Sequence, residues 1–141
     1  MRNLKYLSLL MMVLLCVSCA SRKNLHGSVD EHPKREFRGA WIQCVNGQFQ
    51  GMSADKMQQM LISQLDVLQK AGINAIIFQV RAEADALYKS NYEPWSRFLT
   101  GVQGKAPSPM WDPLQWMIDE CHKRNMELHA WINPYRAKTK G

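Results

Sequence analysis

Several features that mark common classes of protein site are missing from this sequence of 141 residues. It has no glycine-rich phosphate-binding loop and no nucleophile elbow of the kind that carries a catalytic serine. His122 and His129 fall on different predicted elements without a third partner, so no set of side chains has the spacing of metal ligands. We therefore expect neither a metal nor a cofactor.

The charge pattern argues against nucleic acid as a partner. Basic residues outnumber acidic ones, 18 to 12, but they are scattered, and no basic run alternates with aromatic residues.

Two of the four cysteines lie in the first nineteen residues. After residue 19 only Cys44 and Cys121 remain, and their places on a predicted strand and a predicted helix favour buried thiols, with one disulfide as the alternative.

The first nineteen residues have the pattern of a bacterial export signal. Basic residues precede the apolar stretch Leu7–Leu15, which is too short to span a membrane as a mature helix. Residues 16–19 resemble a lipobox, in which Cys19 is lipidated; the departure is Cys16, where leucine is usual. We expect a lipoprotein, with plain secretion as the alternative. Ala20 gives no acidic retention signal, which favours an anchor in the outer membrane.

Three segments follow along the chain. Residues 1–19 are the predicted lipoprotein signal peptide, and the polar residues 20–34 are interpreted as a tether to the folded part. Residues 35–141 alternate strand and helix patterns. The predicted strands, which are three apolar runs, are Arg38–Val45, Ile73–Arg81 and Met126–Asn133.

Two amphipathic helices are predicted between these strands. Ser53 is a plausible N-cap for the first, which Gly72 ends, and Asp112 followed by Pro113 opens the second, which ends near Asn125. Alternating strands and helices predict a parallel sheet, and right-handed crossovers place both helices on the same face.

The parity of the strand residues predicts that the other face of the sheet is bare. One parity is apolar, whereas the other includes Trp41, Gln79, Arg81, His129 and Trp131. Parallel sheets are almost always covered on both faces. Closure into a (β/α)8 barrel would turn the bare face into the barrel interior, but such barrels need about 250 residues. The fold class expected is therefore α/β, with the first three β/α units of an apparently truncated (β/α)8 barrel.

A loop of thirty residues, from Ala82 to Trp111, follows the second strand at the end where α/β proteins bind ligands. It is rich in aromatic residues, whose planes suit sugar rings; the alternative for about half of them is a small core under the loop. Its motifs and those of the flanking strands resemble the opening of the glycosyl hydrolase-like 10 family of bacterial lipoproteins. The stretches that carry the resemblance are Phe37–Trp41, Asn74–Arg81, Asp85–Tyr88, Glu93–Ser96, Leu99–Gly101, Asp112–Leu114 and His129–Arg136.

This resemblance implies a (β/α)8 barrel, an envelope location and hydrolysis of a glycosidic bond, with peptidoglycan-type glycan as a plausible substrate. The alternative is a carbohydrate-binding lipoprotein, or an inactive truncated chain, without catalysis. We expect half of a binding cleft, in which Arg81 and Asp85 pair with each other or bind substrate. The candidate substrate-binding residues are Trp41, Gln79, Arg81, Asp85, Tyr88, Trp95, His129, Trp131, Asn133, Tyr135 and Arg136.

The catalytic residues are not assigned. Glycoside hydrolysis normally needs two carboxyl groups. Only Glu83, Asp85 and Glu93 fall at the ligand-binding end, and all three are on the loop and not at a strand tip. Loop carboxylates more often clamp a ligand or stay solvated, so we expect the catalytic pair beyond residue 141 and leave open whether this chain is an enzyme.

Overall fold

The computed structural model describes residues 36–138, which include all three predicted strands and both predicted helices. The signal peptide (1–19), Cys19 and the tether (20–34) lie outside the described residues. No helix within the described part is long and apolar enough to cross a membrane. In chain order the elements are β1 (Gly39–Ile42), α1 (Ala54–Lys70), β2 (Ala75–Arg81), α2 (Arg97–Thr100), α3 (Pro113–Lys123) and β3 (Glu127–Ile132).

The two long helices begin at the caps that the sequence predicts. The Ser53 hydroxyl accepts the Lys56 N–H at 3.4 Å, and a carboxylate oxygen of Asp112 accepts the Gln115 N–H at 3.0 Å. These side chains satisfy N–H groups that have no partner inside the first turn. Both helices therefore start where short polar residues precede an amphipathic run.

The three strands form one parallel sheet, as predicted, and their order in it is β1, β2, β3. Phe78 in the central strand pairs with Ile42 on one side and with Ala130 on the other. Because all three strands run in the same direction, their carboxyl ends lie at the same end of the sheet. The arrangement is compatible with the start of a (β/α)8 barrel.

The hydrophobic core lies between one face of this sheet and helices α1 and α3. Each fully buried leucine contributes about 1.5 to 3 kcal/mol relative to an exposed one. Cys44 and Cys121 are both buried free thiols, and burial raises the pKa of Cys44 to about 12 and that of Cys121 to about 11. The strand and helix side chains that share this core are Ile42, Ile76, Phe78, Val80, Met57, Leu61, Leu65, Met117 and Cys121.

The apolar side chains of β3 are more exposed to solvent than the alternation of its residues predicted. Ala130 and Ile132 were expected on the hidden face, but both are exposed, Ile132 to 53%. The reason is that β3 is at the edge of the described sheet, and α3 precedes it in the chain, so no described helix follows it. Apolar side chains at this edge remain in contact with solvent.

The loop between β2 and α3 has more local structure than expected. A single helical turn, α2, begins after Ser96, whose hydroxyl accepts the Phe98 N–H at 3.2 Å. Ala86 and Trp95 form an isolated parallel bridge, in which the Ser96 N–H donates to the Ala86 carbonyl at 2.8 Å. Four residues are too few to show a helical period, which is why the pattern did not reveal this turn.

Two buried carboxylates hold this loop. Glu83 is only 1% exposed and accepts two hydrogen bonds from the Arg97 guanidinium, each at 3.1 Å. Asp85 is fully buried; one of its oxygens accepts the Arg97 backbone N–H at 3.3 Å, and burial raises the pKa of its carboxyl group. The start of the loop is thereby fastened to α2.

Replacing Asp112 with alanine should destabilise the fold by about 1 to 2 kcal/mol, because the side chain both caps α3 and accepts the Lys89 N–H at 2.9 Å. Urea unfolding followed by circular dichroism measures the loss. Asp119→Ala is the matched control, since Asp119 is exposed on the same helix and accepts one bond from the Gln115 side chain. Equal losses in the two variants would contradict the double role of Asp112.

Replacing Glu83 with glutamine should loosen the loop without unfolding the core, because Arg97 loses its charged partner. Hydrogen exchange of the Leu87 and Ser96 amides, which donate to Val80 and Ala86, should accelerate about tenfold. Glu120→Gln removes a charge from the pairs with Lys123 and Arg124 instead, and it should leave the two amides unchanged. Unchanged exchange in the Glu83 variant would show that the pair does not fasten the loop.

Candidate functional site

The face of the sheet opposite the core is open and aromatic, as the strand parity predicted. Trp41 on β1 is 56% exposed, and its ring lies 5.4 Å from that of Trp131 on β3. Phe37 packs edge-on against His129, at 5.3 Å between ring centroids. The absence of a side chain at Gly39 makes room for the Phe37 ring, because a Cβ there would lie 2.8 Å from that ring. Two aromatic pairs therefore line the bare side.

A polar cluster lies at the carboxyl ends of β2 and β3. The Arg81 Nε donates to a Glu93 carboxylate oxygen at 2.6 Å, and Nη2 lies 2.5 Å from the same oxygen. Nη1 donates to the Asn133 carbonyl, and the Asn133 N–H donates to the Arg81 carbonyl at 2.8 Å. The Tyr88 hydroxyl is 3.4 Å from the other Glu93 oxygen. One guanidinium thus joins both strand ends to the loop.

An irregularity in strand pairing positions Arg81 in this cluster. The register between β2 and β3 shifts between Gln79 and Arg81, so that Gln79 pairs with Trp131 while Arg81 pairs with Ile132. Such bulges re-aim the side chain that follows them, and they are common beside functional sites. Arg81 consequently lies just beyond the row that contains Trp131, at the end of the open face.

The electrostatics of the cluster favour its charged state. The hydrogen bond from Arg81 holds the pKa of Glu93 below its ordinary value, and the same bond raises the pKa of Arg81. Burial raises the pKa of the Tyr88 hydroxyl. Glu93 is therefore ionised and Tyr88 neutral near neutral pH, and the charges of Arg81 and Glu93 compensate each other.

The structure gives two of the predicted binding residues internal roles. Gln79 is 7% exposed, and its side-chain oxygen accepts the Cys44 N–H at 3.0 Å, which ties the end of β1 to β2. Asp85 is fully buried among loop residues, and the ion pair of Arg81 forms with Glu93 in place of the expected Asp85. Burial removes Asp85 from direct contact with a ligand.

The loop aromatics divide between core and surface. Tyr88, Trp95, Phe98 and Trp111 are partly buried and pack against the hydrophobic core, whereas Tyr92 is 97% exposed. Four of the five therefore pack on the core that the sheet shares with its helices, and not in a separate small core under the loop. Tyr88 alone also reaches the polar cluster, through Glu93.

The predicted residues of the third strand do not form a single group. His129 lies 3.2 Å from Glu127, toward the amino end of the strand, while Trp131 and Asn133 lie nearer the carboxyl end. The side-chain oxygen of Asn133 accepts the Arg136 N–H at 3.3 Å. Tyr135 is 96% exposed, and Arg136 is exposed as well.

The candidate site therefore contains fewer residues than were predicted to bind substrate. Glu93 is the one residue in it that was not among the predicted ones. The sequence places Glu93 among three carboxylates at this end of the fold but does not indicate which of them meets Arg81. Glu93 is twelve positions after Arg81, in a segment with no regular period, so only the folded path of the loop reveals the pair. Within residues 36–138, no three His, Cys, Asp or Glu side chains are close enough to hold a metal ion.

Comparison with known proteins agrees with the resemblance in the strand and loop motifs. Residues 36–140 match the family described as Glycosyl hydrolase-like 10. The chain is 51% identical over 106 residues to the Glycosyl hydrolase YngK of Bacillus subtilis (strain 168), covering 72% of this chain and 20% of that relative. It is 52% identical over 117 residues to the Glycosyl hydrolase DigH of Escherichia coli (strain K12), covering 75% of this chain and 26% of that relative.

The matched region thus spans about a fifth to a quarter of the length of these relatives. It includes the three strands, the long loop and the cluster around Arg81. The chain belongs to the glycosyl hydrolase-like 10 family.

Proposed function

We propose that this chain supplies sugar-binding residues to a glycoside hydrolase of the bacterial envelope that acts on a polysaccharide such as peptidoglycan glycan. The observation that carries the proposal is the succession of the Trp41–Trp131 pair and the Arg81–Glu93 cluster along the sheet: Trp131 pairs with Gln79, two residues before Arg81. Aromatic planes suit the C–H faces of sugar rings, and paired charged groups suit their hydroxyls. The relatives named above are glycosyl hydrolases, which supports the same chemistry.

The proposal includes a (β/α)8 barrel in which the open face becomes part of the interior. Supporting this, β1 and β3 are the two edges of the described sheet, and a groove of about 490 Å³ runs between β1 and α1. The groove is bordered by Trp41 and Val67, both of which are exposed. A neighbouring strand and helix would cover these apolar groups.

In this proposal the catalytic carboxylates lie outside residues 36–138. A general acid must be accessible and have a raised pKa. The pKa of Asp85 is raised, but the group is fully buried; Glu93 is accessible, but its pKa is lowered; and Glu83 is buried against Arg97. None of the three meets both requirements of the acid. Glu93 has the ionised state that the second carboxylate needs, but one of its oxygens is already engaged by Arg81.

The envelope location is proposed from the signal-like residues 1–19. A lipid on Cys19 would anchor the protein to a membrane, and the absence of an acidic residue after Cys19 favours the outer membrane. Residues 20–34 would then hold the folded part at a distance from the lipid surface.

Replacing Trp41 with alanine tests the sugar-binding role of the open face. Calorimetric titration with chitotetraose, a neutral β-1,4 oligomer of N-acetylglucosamine, should show binding to the unmodified chain and about fivefold weaker binding to Trp41→Ala. Tyr92→Ala is the control, because Tyr92 is also exposed but lies outside the tryptophan pair. A larger loss in the Tyr92 variant would place sugar binding elsewhere.

A second candidate, a carbohydrate-binding lipoprotein without catalysis, is favoured by the unsuitable state of all three carboxylates at this end. Incubation of the chain with chitotetraose and measurement of new reducing ends tests whether the chain hydrolyses a glycan by itself. Binding without release of reducing ends is expected of the 141 residues in both cases. Release by the chain itself would contradict the second candidate and the inference that the catalytic pair lies elsewhere.

A further inference from the structure

The Arg81–Glu93 pair has no net charge and remains reachable from solvent. The side chain of Arg81 is 15% exposed and that of Glu93 is 23% exposed, and two nitrogens of the guanidinium lie within 2.6 Å of one carboxylate oxygen. A ligand that approaches Arg81 therefore meets the carboxylate at the same time. The usual function of an isolated arginine, which is to bind an anion, is opposed here by the adjacent negative charge.

The pair nevertheless keeps hydrogen-bonding capacity. A guanidinium has five N–H donors. Within the described residues, Arg81 uses Nε and one N–H of Nη2 toward Glu93 and one N–H of Nη1 toward the Asn133 carbonyl, which leaves one N–H on each terminal nitrogen. Among residues 36–138, the second Glu93 oxygen has only the long 3.4 Å contact with the Tyr88 hydroxyl, so it can accept a further bond. Donors and an acceptor are thus side by side.

Neighbouring sugar hydroxyls match this arrangement, because each hydroxyl both donates and accepts. A carboxylate matches it poorly, since it only accepts and would be repelled by Glu93. Trp131 on β3 pairs with Gln79, two residues before Arg81 on β2, and its ring offers an apolar plane. An uncharged ring is therefore the ligand that satisfies both the polar pair and the aromatic surface.

We propose that the Arg81–Glu93 pair is a specificity-determining subsite for the hydroxyls of an uncharged sugar ring, and that Glu93 excludes rings that carry a carboxylate. This inference rests on the proposed function. Glu93 is then a selectivity residue, and Asn133 and Tyr88 position the pair through their bonds to its two members.

The test compares two probes of the same backbone, chitotetraose and its C6-oxidised form, in which carboxylates replace primary alcohols. The unmodified chain should bind the neutral probe more tightly by calorimetry. Glu93→Gln removes the repulsion, so the ratio of acidic to neutral affinity should rise about fivefold. Arg81→Gln leaves Glu93 unpaired, so the same ratio should fall. A purely structural role would weaken both probes equally.

Asp119→Asn is the matched control for charge, because it removes one negative charge from an exposed position on α3, and it should leave the ratio unchanged. Opposite shifts of the ratio in the Glu93 and Arg81 variants would support the inference. Binding of both probes with a ratio that neither variant changes would overturn it while leaving the proposed function intact. Binding of neither probe by the unmodified chain would overturn both.

Discussion

Parallel pairing of β2 with both of its neighbours is the constraint on which the rest of the described structure depends. Parallel strands cannot be joined by tight turns, so each connection crosses one face of the sheet. Helices α1 and α3 occupy that face and form the core with it. The same pairing places the carboxyl ends of the strands at one end of the sheet. Arg81 and Asn133 are therefore in contact although they are 52 positions apart in the sequence.

The opposite face follows from the same constraint. With α1 and α3 on one side, nothing among the described residues covers Phe37 and Trp41, which remain more than half exposed. Single exposed aromatic groups are common, but several on one face form a patch that usually marks a surface that binds something. The polar cluster lies at one end of that face, where the strands end. The face is therefore aromatic along the strands and hydrogen-bonding at their carboxyl ends.

Local signals explain why the framework could be predicted from the sequence. Ser53 and Asp112 act within three residues of themselves, so their capping roles are visible without a fold. Strand parity likewise depends on neighbours two positions apart, and it correctly separates Ile76 and Phe78 from Trp41 and Trp131.

The roles of other residues depend on distant partners. Gln79 bonds to Cys44, 35 positions away, and Asp85 is enclosed by a loop that no periodic pattern describes. The choice of Glu93 over Asp85 as the partner of Arg81 is decided by the same loop path. The sequence thus predicts which face and which end of the sheet carry the candidate site, but not which side chains remain available there.

The most direct measurement is the response of the five tryptophan indole N–H resonances to chitotetraose in a proton–nitrogen correlation spectrum. Single Trp→Phe variants would assign the signals. The account predicts that Trp41 and Trp131 shift on titration, because they lie on the open face. Trp116 on α3 and Trp111 just before it pack against each other, and they should not shift. Shifts confined to Trp111 and Trp116 would place sugar binding on the helical side and contradict the central claim.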